Sequence, residues 1–231
     1  SILTQETVKI VNGKVPVLMN VAEQSTKGAI AAAQKAEDDG AKGLMMLPPM
    51  RYKASDAEVL TYFKTVANST SLPIMIYNNP VDYKLLVTLD MFQELLDACP
   101  NIQAVKESTR DTTNITRIKN KFGDRLAIMT GVDTLALESL VLGADGWVAG
   151  LVDAFPAETV AIYELVKANR IQEAITIYRW FMPLLELDIH PKLVQYIKTA
   201  SVHTGIGNEY VRAPRLVLQG EERARIEKII T

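Results

Sequence analysis

Residues 73–80, Pro-Ile-Met-Ile-Tyr-Asn-Asn-Pro, place an apolar run directly before a turn-forming run. A short, near-continuous apolar run predicts a strand that is buried on both faces, as in a parallel sheet. Asparagine and proline immediately after it predict a loop at the carboxyl end of that strand. This is the end of parallel strands at which α/β proteins bind their ligands.

The same pattern recurs at intervals of roughly 20–30 residues, the size of a βα unit. The other apolar runs are residues 15–19, 43–47, 102–106, 126–129 and 146–149. Residues 156–168, 170–187, 191–204 and 221–230 predict helices, and residues 215–218 carry the only later strand signal. The sequence therefore predicts six βα units followed by a helical C-terminal part.

Residues that can cap a helix precede the helical patterns between the strands. They are Ser25 or Thr26 before residues 29–38, Ser55 in a capping box with Glu58, Thr88 before residues 91–98, Thr112 or Thr113 before a helix that Gly123 ends, and Thr134 before residues 135–142.

Six strands fit two α/β architectures. A doubly wound sheet is expected to carry a dinucleotide fingerprint, and the sequence has neither G-x-G-x-x-G nor a P-loop. A (β/α)₈ TIM barrel needs two more strands. Because the chain does not begin with Met, we expect those strands upstream. We predict an incomplete barrel, strands three to eight, over residues 1–155, and the last barrel helix with a C-terminal helical region over residues 156–231.

Composition excludes several classes of protein. Of the 231 residues, 48% are hydrophobic and 23% charged, which is typical of a globular chain and not of a disordered one. The net charge of −2 argues against nucleic acid as a partner. No apolar run approaches the ~20 residues of a membrane span, and the first residues form no targeting signal. The single cysteine, Cys99, predicts a reducing, cytoplasmic location.

Lys106 is the most informative position. Strand alternation puts Lys106 and Ser108 on one face and Val105 and Glu107 on the other. If Val105 packs under the outer helices, Lys106 points into the barrel mouth, where desolvation favours the neutral, nucleophilic amine of a Schiff-base lysine. The alternative is a strand-end lysine that reaches solvent.

Tyr77 ends its apolar run just before the predicted loop. A phenol there can relay the protons that imine formation and breakdown require. The alternative is a core tyrosine with a bonded hydroxyl.

Two further stretches follow later strands. In Gly131-Val132-Asp133, the aspartate can bind substrate hydroxyls or cap the following helix, and both alternatives stay open. The stretch from Gly146 to Gly150, which includes Val148, lets backbone approach a ligand closely, although packing explains the glycines as well. The two histidines, both in the C-terminal part, are too few for a His-rich metal site or a histidine-based triad.

Residues 77–80 (Tyr-Asn-Asn-Pro), followed by residues 104–108 (Ala-Val-Lys-Glu-Ser), resemble the dihydrodipicolinate synthase / N-acetylneuraminate lyase family. That family carries Tyr-Asn-x-Pro on barrel strand five and a Schiff-base lysine on strand six, at the same spacing. The resemblance runs from about Leu3 to the C-terminus. It implies a (β/α)₈ barrel that binds a 2-oxo acid such as pyruvate as an imine on Lys106, with Tyr77 shuttling protons, no metal or organic cofactor, and a homotetramer.

Three departures separate this sequence from the family pattern. The Gly-Thr-Thr-Gly-Glu-type motif that holds the substrate carboxylate is absent, so we expect the chain as written not to close and to be poorly active. Residues 81–83 (Val-Asp-Tyr) stand where dihydrodipicolinate synthases place an arginine, which argues against that synthesis. The strand-four loop, residues 48–52 (Pro-Pro-Met-Arg-Tyr), differs from Pro-Tyr-Tyr, and Tyr52 is the candidate for the second relay tyrosine.

Ser108 and Asp133 match family members that act on hydroxylated substrates, such as the sialic acid lyases. The motifs also resemble 1-pyrroline-4-hydroxy-2-carboxylate deaminase and 2-keto-3-deoxyarabonate dehydratase. We therefore predict a Schiff-base lyase, dehydratase or deaminase for a small, hydroxylated 2-oxo or cyclic imino acid, with Ser108, Gly131, Asp133, Tyr52 and Val148 as substrate contacts. The alternatives are a true dihydrodipicolinate synthase or aldolase, a non-catalytic barrel that binds a small acid, and a structural protein.

Overall fold

The computed structural model describes residues 1–49 and 52–231. The chain forms two compact units, residues 1–128 and residues 129–231. Our predicted boundary after residue 155 is of a different kind, because it separates the strands from the C-terminal helices along the chain. It stays a prediction.

Strands and helices alternate in the first unit. The strands are β1 (Leu18–Val21), β2 (Gly43–Met46), β3 (Ile74–Asn78) and β4 (Ile102–Glu107), and the helices are α1 (Ile2–Val11), α2 (Thr26–Asp38), α3 (Asp56–Ala67), α4 (Pro80–Tyr83), α5 (Leu89–Ala98) and α6 (Thr113–Phe122). The four strands pair in parallel and in chain order, as predicted for successive βα units.

Side-chain caps begin three of these helices as predicted. The hydroxyls of Ser25 and Thr88 accept a backbone N–H at the start of α2 and α5. Ser55 and Glu58 form the complete capping box of α3. Thr112 occupies the N-cap position of α6 without a capping bond.

The first strand lies later in the sequence than predicted. The apolar run at residues 15–19 predicts a strand there, but β1 begins at Leu18, and Val15 is 59% exposed. Pro16 has no N–H to donate to a ladder. Pairing therefore starts beyond it, where Leu18 lies beside Gly43.

The pairing of β3 with β4 contains one irregularity. Ile74 pairs with Ile102, but Met75 pairs with Ala104, so Gln103 is passed over. An extra residue of this kind is a β-bulge, and bulges re-aim the side chains beyond them.

The bulge determines which side chains meet at the carboxyl ends of the two strands. Beyond it, Tyr77 lies beside Lys106 and Asn78 beside Glu107. In an unshifted register Tyr77 would lie beside Val105, a fully buried residue on the opposite face of β4.

Behind these strand ends lies a buried carboxylate. Glu107 is 4% exposed, and its oxygens accept hydrogen bonds from Thr109 N (2.8 Å), Asn114 Nδ2 (3.0 Å) and Asn78 Nδ2 (3.3 Å). Asn78 also exchanges two hydrogen bonds with the backbone of Val87. The cluster thus ties the ends of β3 and β4 to α6 and to the segment before α5.

The second unit opens with a short parallel pair of strands. These are β5 (Ala127–Thr130), within which the two units divide, and β6 (Gly146–Trp147). The helices are α7 (Ala136–Val141), α8 (Pro156–Lys167), α9 (Ile171–Leu185), α10 (Leu193–His203) and α11 (Gly220–Ile230), with 3₁₀ turns at Asp133–Leu135, Leu151–Asp153 and Glu186–Ile189.

Two predictions for this unit are corrected. The helix predicted over residues 135–142 is the 3₁₀ turn followed by the shorter α7. Residues 215–218 form no strand, since none of the described strands pairs with them and Leu216 is 80% exposed.

Within residues 1–49 and 52–231, no helix has the length and apolar character needed to span a membrane.

Burial of Glu107 predicts a specific dependence of stability on pH. Burial raises the pKa of this carboxyl above 4.5, although its hydrogen bonds to Thr109, Asn114 and Asn78 oppose the shift. The folded chain therefore holds more protons than the unfolded chain between pH 4.5 and the raised pKa, and stability falls as pH rises through that window. In Glu107→Gln this contribution is absent, so wild type loses stability relative to the variant across the window.

Urea unfolding followed by circular dichroism at several pH values measures the difference. Glu58→Gln is the control of opposite sign, because the capping bonds of Ser55 lower the pKa of Glu58. As the pH rises toward 4.5, wild type therefore gains stability relative to Glu58→Gln. A wild-type minus Glu107→Gln difference that is constant with pH contradicts the prediction.

Candidate active site

Lys106 and Tyr77 lie side by side at the carboxyl ends of β4 and β3. They are direct register partners, and the Lys106 Nζ atom lies 4.2 Å from the centroid of the Tyr77 ring. Both side chains are half-buried, whereas Val105 and Glu107 are buried on the opposite face, as alternation predicts. An amine thus lies within reach of a phenol at the end of the sheet where ligands bind.

The segment after Tyr77 differs from the predicted loop. Asn79 caps the one-turn helix α4, with its Oδ1 accepting from Asp82 N at 3.2 Å. Pro at the first helical position fits this cap, because its ring fixes a helical φ and its missing N–H is not needed. The turn brings Tyr83 back to Tyr77, with ring centroids 5.5 Å apart and ring planes at 85°.

Ser108 follows Lys106 by two residues and has a buried, unpaired hydroxyl. The residue is 2% exposed, and its Oγ has no hydrogen-bond partner among the described residues. Its backbone N–H donates to Asn78 O at 2.9 Å. An unsatisfied buried hydroxyl costs about 1–3 kcal/mol, so this Oγ is a polar group that a ligand can satisfy.

Tyr52 does not join Lys106 and Tyr77. Its side chain is 58% exposed, and its hydroxyl donates to Glu58 at 2.8 Å. Its predicted role as second relay tyrosine stays a prediction. Met50 and Arg51, in the same predicted loop, lie outside them.

In the second unit Asp133 is fully buried and accepts hydrogen bonds from several residues. Its carboxylate accepts hydrogen bonds from Trp147 Nε1 (3.0 Å), Gly150 N (3.1 Å) and Leu151 N (2.8 Å), and its carbonyl accepts from Tyr178 Oη (3.0 Å). It does not hold the N-cap of α7, which is Leu135. Direct contact with a substrate hydroxyl stays a prediction, and what the geometry shows is an aspartate that shapes the turn after β6.

Gly131 and Val148 are both half-buried at the ends of β5 and β6, and the Val148 N–H donates to Thr130 O at 2.9 Å. Their contact with substrate stays a prediction.

Packing accounts for the glycines that bound the β6 segment. A Cβ on Gly146 would lie 2.6 Å from Met129 Sδ, and one on Gly150 would overlap the Asp188 carboxylate. The close approach that needs glycine at these two positions is therefore to side chains of the same unit.

Sequence reasoning missed three residues of this region. Asn79 could have been found, since asparagine before proline is a typical helix start. Glu107 was placed on the correct face, but its partner Asn78 lies on a different strand, 29 residues earlier. Tyr83 carried no signal, because its position depends on the one-turn helix. Among the described residues, no cluster of His, Cys, Asp and Glu could hold a metal ion.

Comparison with known proteins agrees with this geometry. The family model described as "Dihydrodipicolinate synthetase family" matches residues 1–231. The 4-hydroxy-tetrahydrodipicolinate synthase of Exiguobacterium sibiricum is 31% identical over 225 residues, which cover 96% of this chain and 74% of that protein. The enzyme of the same name from Chlorobium phaeovibrioides is 28% identical, with 93% and 72% of the two chains covered.

Solved structures show the same fold. Dihydrodipicolinate synthase from Aquifex aeolicus aligns with a TM-score of 0.92 and 25% identity, covering 99% of this chain and 78% of that one. The 4-hydroxy-tetrahydrodipicolinate synthase from Methylacidiphilum fumariolicum aligns with a TM-score of 0.92 and 26% identity, covering 99% and 76%. These likenesses confirm the predicted fold class, an α/β chain of the TIM-barrel type with C-terminal helices. The chain belongs to the dihydrodipicolinate synthetase family of class I aldolase-type lyases.

Proposed function

We propose that this chain is a Schiff-base-forming lyase, dehydratase or deaminase that acts on a small, hydroxylated 2-oxo or cyclic imino acid. The observation that carries the proposal is the pairing of Lys106 with Tyr77, with Nζ 4.2 Å from the ring centroid at the carboxyl ends of adjacent parallel strands. Imine formation needs a primary amine as nucleophile and an acid–base group beside it, and a phenol can be that group.

The geometry supports the following sequence of steps. The neutral Lys106 amine attacks the carbonyl carbon, or the imine carbon of a cyclic substrate. A proton passes from the Lys106 nitrogen to the former carbonyl oxygen or imine nitrogen, which gives a neutral tetrahedral intermediate. The Tyr77 hydroxyl then protonates the departing oxygen or nitrogen, and the protonated imine remains on Lys106. That imine withdraws electrons from the adjacent carbon, so a neighbouring C–C, C–O or C–N bond can break or form.

The unpaired hydroxyl of Ser108 supports a hydroxylated substrate. It lies two residues beyond Lys106 and is buried without a hydrogen-bond partner in the described part of the chain. A substrate hydroxyl can both donate to and accept from a serine, and a methylene group can do neither.

Asp82 bears on the alternative of dihydrodipicolinate synthesis, which the names of the relatives favour. It stands in the stretch where the family resemblance expects a carboxylate-binding arginine. The side chain is exposed and accepts a hydrogen bond from Asn79 at 2.7 Å. A negative charge there repels the carboxylate of a second substrate, which favours a single-substrate reaction.

We also propose, from the family resemblance, a homotetramer in the cytoplasm. The single cysteine, Cys99, is buried and unpaired, in keeping with a reducing compartment. Sedimentation of the purified protein tests the tetramer.

Borohydride trapping tests the imine. Pyruvate and borohydride together should add one carboxyethyl group to the protein, and peptide mapping should place it on Lys106. Lys106→Ala should lose the adduct. The matched control is Lys167→Ala, which removes another lysine that lies over a tyrosine ring, 5.9 Å from the centroid of Tyr163. That variant should be trapped as wild type is.

An equal adduct yield in Lys106→Ala contradicts the proposal. An adduct without turnover of any 2-oxo or cyclic imino acid would instead favour the non-catalytic barrel that binds a small acid.

Ser108→Ala tests the substrate hydroxyl. The concentration giving half-maximal trapping should rise about two- to tenfold for hydroxypyruvate, the worth of one hydrogen bond, and stay unchanged for pyruvate. Ser139→Ala is the control, since Ser139 is buried but its hydroxyl already bonds to Leu135 O. In Ser139→Ala, any change in the concentration giving half-maximal trapping should be equal for hydroxypyruvate and pyruvate. Equal effects in Ser108→Ala would refute the assignment.

A further inference from the structure

Asn79 carries a buried amide that contacts Tyr77 and that the proposed mechanism does not yet use. The residue is 5% exposed and stands at the position that the family pattern Tyr-Asn-x-Pro leaves open. Its side-chain Nδ2 donates to Tyr77 Oη at 3.1 Å. The preceding asparagine, Asn78, bonds instead to Glu107 and to the backbone of Val87. Of the two asparagines, Asn79 is therefore the one that is bonded to the phenol.

Asp82 fixes which way the Asn79 amide points. The Asp82 carboxylate accepts a hydrogen bond from Nδ2 at 2.7 Å, and the Asp82 backbone N–H donates to Asn79 Oδ1 at 3.2 Å. A rotated amide would set its oxygen against that carboxylate and its NH₂ group against that N–H, so both bonds would be lost. Each is worth about 0.5–1.5 kcal/mol, and more where one partner is charged. Tyr77 therefore meets a donor and not an acceptor.

The one-turn helix α4 holds this amide in place. Asn79 is its N-cap, Pro80 begins it with a fixed φ, and the backbone N–H of Tyr83 donates to Asn79 O at 3.0 Å. Lys84 ends the turn with a left-handed φ of 57°. Both the side chain and the backbone of Asn79 are thus fixed, and a donor that is fixed in advance needs no reorganisation at the moment of reaction.

The hydrogen bond from Asn79 limits where the Tyr77 proton can go. A phenol oxygen carries one proton and accepts hydrogen bonds through its lone pairs, whereas an amide NH₂ group only donates. The Tyr77 proton therefore cannot be directed to Nδ2 and stays available for a group on the substrate. Once Tyr77 has given that proton away, its oxygen is negative, and a hydrogen bond to an ionised acceptor is roughly twice as strong as one to a neutral acceptor.

We propose that Asn79 is a positioning residue that directs the Tyr77 hydroxyl to the substrate and stabilises the phenolate that proton donation leaves. This inference rests on the proposed function, in which Tyr77 is the proton donor. It also gives Asp82 a task in the same site, because Asp82 keeps the Asn79 amide in its donating orientation.

The proton transfers balance as follows. In the carbinolamine on Lys106, Tyr77 gives its proton to the hydroxyl oxygen as the C–O bond breaks, and water leaves. The nitrogen lone pair forms the C=N bond, which gives a protonated imine on Lys106 and a phenolate on Tyr77. Asn79 keeps both Nδ2 hydrogens and only donates a hydrogen bond to the phenolate. The phenolate recovers a proton from solvent, and hydrolysis of the imine follows the same path in reverse.

Asn79→Asp tests this role because aspartate has the same shape and also caps helices, but the ionised side chain cannot donate to Tyr77. It accepts a hydrogen bond from the Tyr77 hydroxyl and so directs that proton away from the substrate. The measurement is imine formation with pyruvate, sampled by adding borohydride at timed intervals after mixing. The limiting rate should fall roughly 10- to 100-fold, in the lower part of the range for general acid–base groups. The pyruvate concentration that gives half of this rate should stay within about twofold, because the lost interaction belongs to the transition state.

Asn79→Ser removes the donor to Tyr77 without adding a charge. Serine keeps a helix-capping oxygen, so trapping should slow about tenfold, the worth of one hydrogen bond to a group that becomes charged. Asn68→Asp is the matched control for the asparagine-to-aspartate change, since Asn68 is exposed at the end of α3 in the same unit. That control should be trapped at the wild-type rate.

A double-mutant cycle separates positioning from packing. If Asn79 acts through the Tyr77 hydroxyl, Asn79→Ser should slow trapping no further in a Tyr77→Phe background. Additive slowing, or a wild-type rate in either Asn79 variant, overturns the proposal. Should circular dichroism show that Asn79→Asp does not fold, Asn79→Ser and the cycle decide the matter alone.

Failure of this role is distinct from failure of the proposed function. In the first case wild type is trapped on Lys106 and an Asn79 variant is trapped just as rapidly. In the second case wild type is not trapped on Lys106 at all, and the role of Asn79 fails with the proposed function.

Discussion

The register between β3 and β4 is the constraint on which the site depends. Alternation along one strand decides only which face a side chain occupies. Whether an amine meets a phenol depends on which residues lie opposite each other, and here the bulge at Gln103 places Lys106 beside Tyr77. On the reverse face the same register places Asn78 beside Glu107, where their hydrogen bond forms. One pairing therefore serves both the chemistry on one face and its anchor on the other, and a slip of one residue would lose both.

This arrangement also accounts for what the sequence could and could not predict. The face of Lys106 followed from alternation within residues 105–108, and the position of Tyr77 followed from the turn residues after it. The bulge leaves no mark in the pattern of a single strand, so the partner of Lys106 could be reached only through the family resemblance. Tyr83 was out of reach for a related reason, since its contact with Tyr77 depends on a one-turn helix where the sequence predicted a loop.

The second unit shows how one residue type can leave two alternatives open. An aspartate after a strand suits both a helix cap and a ligand contact. Asp133 is not the N-cap of α7, and its contact with a ligand stays a prediction. Its carboxylate accepts hydrogen bonds from Trp147, Gly150 and Leu151. Trp147 ends β6, and Gly150 and Leu151 lie in the turn after it, which local sequence cannot place next to Asp133. Buried carboxylates need several donors to offset the loss of water. The donors of Asp133 lie 14 to 18 residues further along the chain.

The polar groups near Lys106 and Tyr77 differ in what they offer a substrate. The Ser108 hydroxyl is buried and has no hydrogen-bond partner within residues 1–49 and 52–231, so a ligand group that bonds to it relieves an existing cost. Asp82 is exposed and negative, and an approaching carboxylate meets repulsion there unless a cation intervenes. Both groups fit the proposed function, in which the substrate carries hydroxyl groups and no second carboxylate. The same Asp82 accepts a hydrogen bond from Asn79 and so helps to orient the amide that donates to Tyr77. In the proposed mechanism Asp82 therefore bears on both substrate choice and proton transfer. A cation in its place would attract a second carboxylate but leave the Asn79 amide with one partner fewer.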